Sequence, residues 1–326
     1  MGKTDAPSGT EVHVGLDLGG TKIFGALVGA DGALSDETYR EHERVAPAPL
    51  ALTDAEKELG PAYANLLGTA HGLLAAARQS GRFPVGVGVG APGMTRPDGF
   101  VFAAGGLGWK NVPLGQMLES HLELPVRVEN DVNLAALGEY AVGAGRGVRS
   151  LFLMSIGTGI GGGIVVDGRL WRGHHFAAGE LGALLPGREF LGWTDKDWGA
   201  FEAVASGSGL LTEAAKEAVA RGESTGPARL TGERLFAEGA RGTPWAKAVV
   251  DRAVDLWTVG LAAVQAILDP ERVVLSGGVA PSVVPLLPEM AARLRQALPF
   301  APEIVPSSLG YRAAVLGAPA LFAQAG

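Results

Sequence analysis

Two glycine-punctuated hairpins, about 140 residues apart, constrain this chain more than any other feature. Residues 12–18, Val-His-Val-Gly-Leu-Asp-Leu, alternate along the chain and end in Gly19-Gly20, the pattern of a strand that turns. Residues 23–28 return as a second strand, and Gly29-Ala30-Asp31-Gly32 makes the next turn. The unit recurs as a strand over 151–156, the run Gly157-Thr158-Gly159-Ile160-Gly161-Gly162-Gly163, and residues 164–166 and 169–171 flanking the strong hairpin turn Asp167-Gly168. One supersecondary unit used twice points to two similar α/β halves. Between and after the hairpins, helical spacing marks residues 62–77, 112–122, 130–140, most of 201–269, 281–298 and 313–323, while 85–89, 125–128 and 272–275 read as strands. Pro281 sits where a helix starts.

Composition removes several function classes. Fifty glycines in 326 residues is about twice the common share of roughly 7%, and they follow no fixed period, so the chain is neither collagen-like nor of low complexity. A net charge of −7 without a basic stripe argues against a nucleic-acid partner. The absence of cysteine excludes disulfides, thiol catalysis and Cys-ligated zinc. His174 and His175 are adjacent rather than i,i+4, so one-face chelation on a helix does not follow, and they read as loop residues. The longest uncharged run, residues 150–166, carries five glycines and is shorter than the roughly 20 apolar residues of a membrane span. The opening residues 1–10 are polar and have no apolar segment of the signal-peptide kind. The expected protein is soluble and cytoplasmic, with small molecules and copies of itself as partners.

The chemistry concentrates in three segments. In Asp17-Leu18-Gly19-Gly20-Thr21-Lys22, backbone N–H groups at a glycine turn can approach phosphate oxygens, Thr21 adds a hydroxyl and Lys22 a charge, while Asp17 suits a magnesium ion held through water. Alone, these residues fit an ordinary hairpin equally well. The second run matches G-x-G-x-x-G at Gly157, Gly159 and Gly162, with Glu180 at a distance suited to a ribose contact. A dinucleotide-binding reading fails, because that fingerprint opens a helix and this one continues as a hairpin. A Walker loop fails because no Gly-Lys-Ser/Thr follows. Two hairpin loops of this kind can instead clamp the phosphates of a nucleotide. Between them lies Glu129-Asn130-Asp131-Val132-Asn133, where Asn130 or Asp131 caps a helix. A carboxylate at a helix start is ordinarily only a cap. Its place between two phosphate loops offers Asp131 as the base for phosphoryl transfer, with the Asn130 amide orienting a hydroxyl and Glu129 facing the same site.

These motifs together resemble the ROK sugar kinases along nearly the full chain. Residues 16–22 resemble the family's first phosphate motif, 129–133 its catalytic motif and 157–163 its second phosphate motif. Ala178-Gly179-Glu180-Leu181-Gly182 resembles the sugar-binding segment, and Ser276-Gly277-Gly278-Val279 the adenosine-side motif. The resemblance implies an α/β, actin-like (ribonuclease H-like) duplicated fold of two domains with a cleft between them. Residues 1–129 with about 310–326 would form the smaller domain, and 130–309 the larger. It implies a hexose held by Gly93, Asn130, Asp131, Glu180 and Glu202, with Asp131 catalytic. ATP·Mg²⁺ would lie on Asp17, Gly19, Gly20, Thr21, Lys22, Gly157, Thr158, Gly159, Gly277 and Gly278, and phosphate would pass to the sugar 6-hydroxyl, as in glucokinases. A homodimer or higher homo-oligomer is the family habit.

Two departures matter. The family's sugar segment continues Glu-x-Gly-His, where the histidine touches the sugar and ligates a structural zinc; Ala183 stands there. Gly199-Ala200-Phe201-Glu202 occupies the place of a Gly-Cys-x-Glu zinc motif, so no zinc is expected. Packing of Phe190, Trp193 and Trp198 is the expected substitute for the zinc. Sugar-responsive repressors of the family carry a helix-turn-helix ahead of the first phosphate motif, and only about ten residues precede it here. A non-catalytic sugar-binding regulator would be expected to lose Asp131 or the phosphate glycines. Kinases for another hexose or an N-acetyl hexosamine, and a polyphosphate-using glucokinase, stay open.

Overall fold

The computed structural model describes residues 10–42, 52–193, 199–223 and 230–324. Its backbone contacts divide the chain into two compact units. The first takes residues up to Arg146, Gly168–Ala177 and those from Tyr311 on; the second takes Gly147–Asp167 and Ala178–Gly310. The boundary therefore falls at Arg146 rather than at Glu129, and residues 129–133 belong to the first unit. The reason is local packing, because the helix after Asn130 is fastened to the C-terminal helices, as described below.

In the first unit, β1 (Glu11–Leu18), β2 (Lys22–Gly29), β3 (Leu34–Glu41), β4 (Phe83–Ala91) and β5 (Val126–Asn130) form one sheet in the order β3-β2-β1-β4-β5. The hairpin strands are antiparallel, whereas β1–β4 and β4–β5 are parallel. In the second unit, β6 (Ser150–Ile156), β7 (Ile160–Val166), β8 (Arg272–Ser276) and β9 (Glu303–Pro306) run in the order β7-β6-β8-β9, again with an antiparallel hairpin followed by parallel pairs. The short strand Arg169–Leu170 adds an edge beside β7, so both sheets have five strands in the order third-second-first-fourth-fifth. This is the duplication that the hairpin repeat pointed to, in the actin-like fold that the family resemblance implied.

The glycine turns behave as their sequences require. Asp167 and Gly168 have φ of 48° and 78°, the left-handed pair that suits the twist of a two-residue hairpin. The second glycine run is shorter as a loop than its sequence suggests. Gly161, Gly162 and Gly163 lie within β7, leaving Gly157 to Gly159 as the turn.

Helix α1 (Gly60–Gln79) covers one face of the first sheet with Tyr63, Leu66, Leu67 and Ala70, all fully buried. On the other face, α2 (Asp131–Val142) meets the C-terminal segments Ala313–Leu316 and Ala318–Phe322 at backbone distance. A Cβ on Gly138 would lie 2.0 Å from the Ala313 carbonyl oxygen, and one on Gly317 would lie 2.1 Å from that of Leu134. In the second unit, α3 (Gly207–Ala220) and the 25-residue α4 (Pro244–Leu268) enclose Trp257, whose indole N–H donates to the Ala205 carbonyl oxygen at 2.9 Å. Among the described residues, no helix is long and apolar enough to cross a membrane.

Several elements differ from their sequence reading, each for a local reason. Residues 109–112 are a strand, and the helix expected from 112 begins at Leu114, because Pro113 fixes its cap. The helix expected over 281–298 is broken into Ala280–Val283, a 3₁₀ turn Val284–Leu286 and Leu287–Ala297, since Pro285 and Pro288 each remove a helical N–H. The closing helix divides at Gly317 ahead of Pro319. Strands β3 and β9 escaped the sequence reading. Leu34–Glu41 alternates only weakly and is half exposed, and Glu303–Pro306 is a four-residue edge.

Gly138→Ala should lower stability by about 1–3 kcal/mol, as overpacking does, by forcing α2 off the C-terminal helix. Gly68→Ala, in α1 with open space around its Cβ position, should raise it by roughly 0.5–1 kcal/mol. Urea unfolding midpoints of opposite sign check this pair of outcomes.

Candidate active site

The parallel register of the first sheet builds the site. Asp17 on β1 pairs with Gly90 on β4, Gly90 pairs with Glu129 on β5, and Ala91 pairs with Asn130. The C-terminal ends of three adjacent parallel strands thus lie in one row, the edge at which α/β sheets collect ligands. Gly90 is there because the chain after β5 passes close by. A Cβ on it would stand 3.2 Å from the Asp131 Cα, tighter than a side chain ordinarily sits.

Asn130 is the N-cap of α2. Its Oδ1 accepts from the Asn133 N–H at 3.0 Å and its Nδ2 donates to the Gly93 carbonyl oxygen at 3.1 Å. Gly93 has φ of 89°, and a Cβ on it would fall 1.7 Å from the Ala103 carbonyl oxygen, so only glycine fits there. Asp131 opens the helix and accepts from the Val132 N–H at 3.0 Å. Burial pushes its carboxyl up to about 6, while hydrogen bonds from the Val132 and Asp131 N–H groups hold it back. Burial also pushes Asp17 up to about 7; the nearby Asp131 charge adds to the rise and Lys22 opposes it. The Asp131 charge thus lies close enough to hinder the ionisation of Asp17. Glu129 does not face the site as its sequence position suggested. It is 2% exposed and forms an ion pair with Arg172 at 2.6 Å.

The first glycine turn is held from β3. The Gly19 N–H closes the turn on the Lys22 carbonyl oxygen at 2.8 Å, the His42 ring nitrogen Nε2 meets the Gly19 carbonyl oxygen at 2.8 Å, and the His42 N–H donates to the Thr21 carbonyl oxygen at 2.9 Å. Gly20 and Thr21 remain exposed. Lys22 reaches over the Tyr39 ring at 5.5 Å and lines, with Asp17, Gly19, Tyr39 and Tyr311, a cavity of about 470 Å³. The role of His42 had no signal in the sequence, since it follows a strand that the sequence did not reveal.

The second unit gathers its own set. The Gly157 N–H closes on the Gly159 carbonyl oxygen at 2.9 Å, and the Gly157 carbonyl accepts from the Gly207 N–H at 2.8 Å, at the start of α3. Ser206 caps that helix, its Oγ accepting from the Gly209 N–H. Gly277, with φ of 93°, packs on the end of β6, where a Cβ would lie 2.4 Å from the Ile156 carbonyl oxygen; the Val279 N–H donates to that same oxygen at 2.9 Å. The loops of Gly157 to Gly159 and Gly277-Gly278 are thereby brought together, with Gly207 as a third member that the sequence did not flag.

Glu202 Oε2 accepts from the Ile160 N–H at 2.8 Å, and burial raises its carboxyl above the usual range. A Cβ on Gly159 would meet that oxygen at 2.3 Å. Glu202 is thus tied to the strand that leaves the glycine turn. Gly179 approaches Gly162 at backbone distance, a Cβ on it falling 2.3 Å from the Gly162 carbonyl oxygen, which sets Glu180 beside β7. Thr158 sits in the turn itself, and His174 and His175 lie in an exposed turn with their rings 4.5 Å apart.

The segment of Ala183 is held by backbone contact. A Cβ on Gly199 would lie 2.0 Å from the Gly182 carbonyl oxygen and 2.4 Å from the Ala183 Cα, and the Phe201 N–H donates to the Leu184 carbonyl oxygen at 3.1 Å. The expected aromatic substitute reduces to the Phe190–Trp193 ring pair at 5.7 Å, with Trp193 41% exposed; Trp198 lies outside the described residues.

The raised carboxyls have a thermodynamic signature. Asp17 and Asp131 ionise at higher pH in the folded chain than at the ordinary 3.8. The folded state therefore binds more protons than the unfolded one between about pH 4 and 7, and stability falls as pH rises through that window. Asp131→Asn and Asp17→Asn, which cannot ionise, should raise the thermal midpoint at pH 8, with a gain that shrinks toward zero as pH is lowered to about 4. A gain independent of pH in thermal scans would contradict the burial of these charges.

Residues 13–325 match the ROK family. A glucokinase of Halalkalibacterium halodurans is 32% identical over 276 residues, covering 82% of this chain and 80% of that protein. A glucokinase of Streptomyces coelicolor is 30% identical over 331 aligned positions, covering 94% and 95%. Among solved structures, a ROK family glucokinase from Streptomyces griseus in complex with glucose and AMPPNP superposes with a TM-score of 0.73 at 27% identity, covering 94% of this chain and 97% of that one. A ROK hexokinase from Thermus thermophilus gives a TM-score of 0.73 at 31% identity, covering 95% and 97%. With a family match that spans almost every residue, the chain belongs to the ROK family.

Proposed function

We propose that the chain is an ATP-dependent sugar kinase that phosphorylates a hexose at its 6-hydroxyl, with glucose as the leading substrate. The observation that carries the reading is Asp131, a carboxylate raised to about 6 at the head of a helix whose cap, Asn130, is itself fixed on both sides. A base with a pKa near the working pH both stays ionised and accepts a proton with useful driving force. The sugar oxygen attacks the γ-phosphorus as its proton passes to Asp131, the bond from the γ-phosphorus to the bridging oxygen breaks, and ADP leaves. Little else is asked of the protein beyond position and charge neutralisation.

Gly157, Thr158 and Gly159, with Gly277 and Gly278, are assigned to the donor's phosphates and adenosine side, and Gly19, Gly20, Thr21 and Lys22 to the terminal phosphates. Magnesium, held from Asp17 through water, would neutralise phosphate charge; an Asp17 carboxyl beside the Asp131 charge fits the oxygen-rich environment that a hard cation takes. Gly93, Asn130, Glu180 and Glu202 are assigned to the sugar. Glucose leads because the relatives above are named glucokinases, and the hexokinase among them keeps other hexoses in the test panel. Ala183 withholds one imidazole hydrogen bond from the sugar, worth about 1 kcal/mol net, which leaves room for a changed preference.

A coupled ADP-release assay over glucose, mannose, fructose and N-acetyl hexosamines should show turnover with at least one sugar. The rate should rise with pH through about 6 as Asp131 ionises. Asp131→Asn should lower kcat by about 10²–10⁴-fold. No ADP release with any sugar, or an Asp131→Asn enzyme of full activity, would remove the kinase reading.

A further inference from the structure

Glu129 sits one residue outside the proposed chemistry, and its surroundings are unusually complete. Its Oε2 accepts from the Arg172 Nε at 2.6 Å, and its Oε1 accepts from both the Asn130 backbone N–H and the Asn133 side-chain amide at 3.0 Å. One buried carboxylate therefore ties the residue before Asp131 to the residue one helical turn further on, and Arg172 supplies the opposite charge that fixes the carboxylate in place. Asn133 also donates its backbone N–H to the Asn130 side chain, which holds Gly93. The frame fastens residues on both sides of Asp131 along the chain, yet none of its bonds involves the Asp131 carboxyl itself.

Arg172 reaches Glu129 from 43 residues further along the chain, and its segment is itself clamped. The side-chain amide of Gln324 donates to the Gly168 carbonyl oxygen at 2.7 Å and accepts from the Leu170 N–H at 2.9 Å. The Arg172 side chain is 18% exposed, and it lines with Arg127, Asp98 and Gln324 a cavity of about 460 Å³ that opens onto the ion pair.

We propose that Arg172 is a positioning residue for Asp131, acting through Glu129, with Gln324 holding the segment that delivers it. The proposal rests on the reading of Asp131 as the base. Without the guanidinium, the buried Glu129 carboxylate would lose its opposite charge and the bond that fixes Oε2, and would be free to turn away from its two donors. Asn130 and Asn133 would lose their common anchor, and the head of α2 would shift relative to the bound sugar. Displacements of about 1 Å at a reacting group cost on the order of 100-fold in rate.

The test uses the full chain, with steady-state kinetics and chemical rescue. Arg172→Ala should lower kcat by roughly 10–100-fold while KM for ATP stays within about twofold. Guanidinium chloride at non-denaturing concentration should restore part of that loss through the cavity, where ammonium chloride at equal ionic strength does not. Gln324→Ala should shift kcat in the same direction by less. If Arg172→Ala fails to fold, the pair Glu129→Leu with Arg172→Met removes both charges and the shared acceptor without orphaning either charge, and should give a folded protein with the same fall in kcat. Unchanged kcat in either variant, or a loss in Arg172→Ala that guanidinium leaves untouched, overturns the proposal. Asp131→Asn, assayed alongside, separates the two ideas. An active Asp131→Asn enzyme removes the base itself, whereas an inactive one beside fully active Arg172 variants removes only the positioning role.

Discussion

The parallel register of three strands sets what the rest of the first unit can do. Because Asp17, Gly90 and Glu129 occupy one row, the chain beyond each strand emerges at the same edge, and Asn130, Asp131 and the Gly19-Gly20 turn follow from that placement. A slip of one residue would turn every side chain of a strand to the opposite face. The apolar pattern resists such a slip, since Val14, Leu16 and Leu18 face one side of β1 with no exposure. The geometry of that row is therefore secured by hydrophobic alternation along the strands, and the fully buried aliphatic side chains keep it in place.

The hairpins were legible in the sequence because glycine and alternation are strong local signals. Those two signals were enough to reject a nucleotide fold in which a helix follows the glycine loop. They also placed Asp131 at a strand-to-helix junction. What the sequence could not show depended on partners distant along the chain. Nothing around Arg172 announces Glu129, 43 residues earlier, and nothing around Gly207 announces the Gly157 carbonyl. His42 was hidden for another reason: it follows β3, whose weak alternation on a half-exposed edge leaves little periodic trace. The unit boundary was misplaced for the same kind of reason, since what fastens α2 to the C-terminal helices is the absence of side chains at Gly138 and Gly317.

The region around Ala183 shows one way to hold a loop without a metal. Gly182 and Gly199 let two backbones meet, and a single hydrogen bond from Phe201 to Leu184 closes the join, with Phe201 fully buried beneath it. Such a join needs no ligand chemistry, only two positions that never carry a side chain. The Phe190–Trp193 pair lies at the exposed rim of this region and does not replace it. The fold keeps the backbone path that leads into Glu202, and Glu202 remains bonded to Ile160.

The raised carboxyls of Asp17 and Asp131 carry a further consequence. At neutral pH the folded chain keeps part of a proton that the unfolded chain gives up, so unfolding and proton release are one event. The heat of unfolding measured in two buffers of different ionisation enthalpy would then differ by the number of protons set free. Acidification would relieve the cost of burying these charges, so the pH that best preserves the fold lies below the pH at which Asp131 is fully ionised.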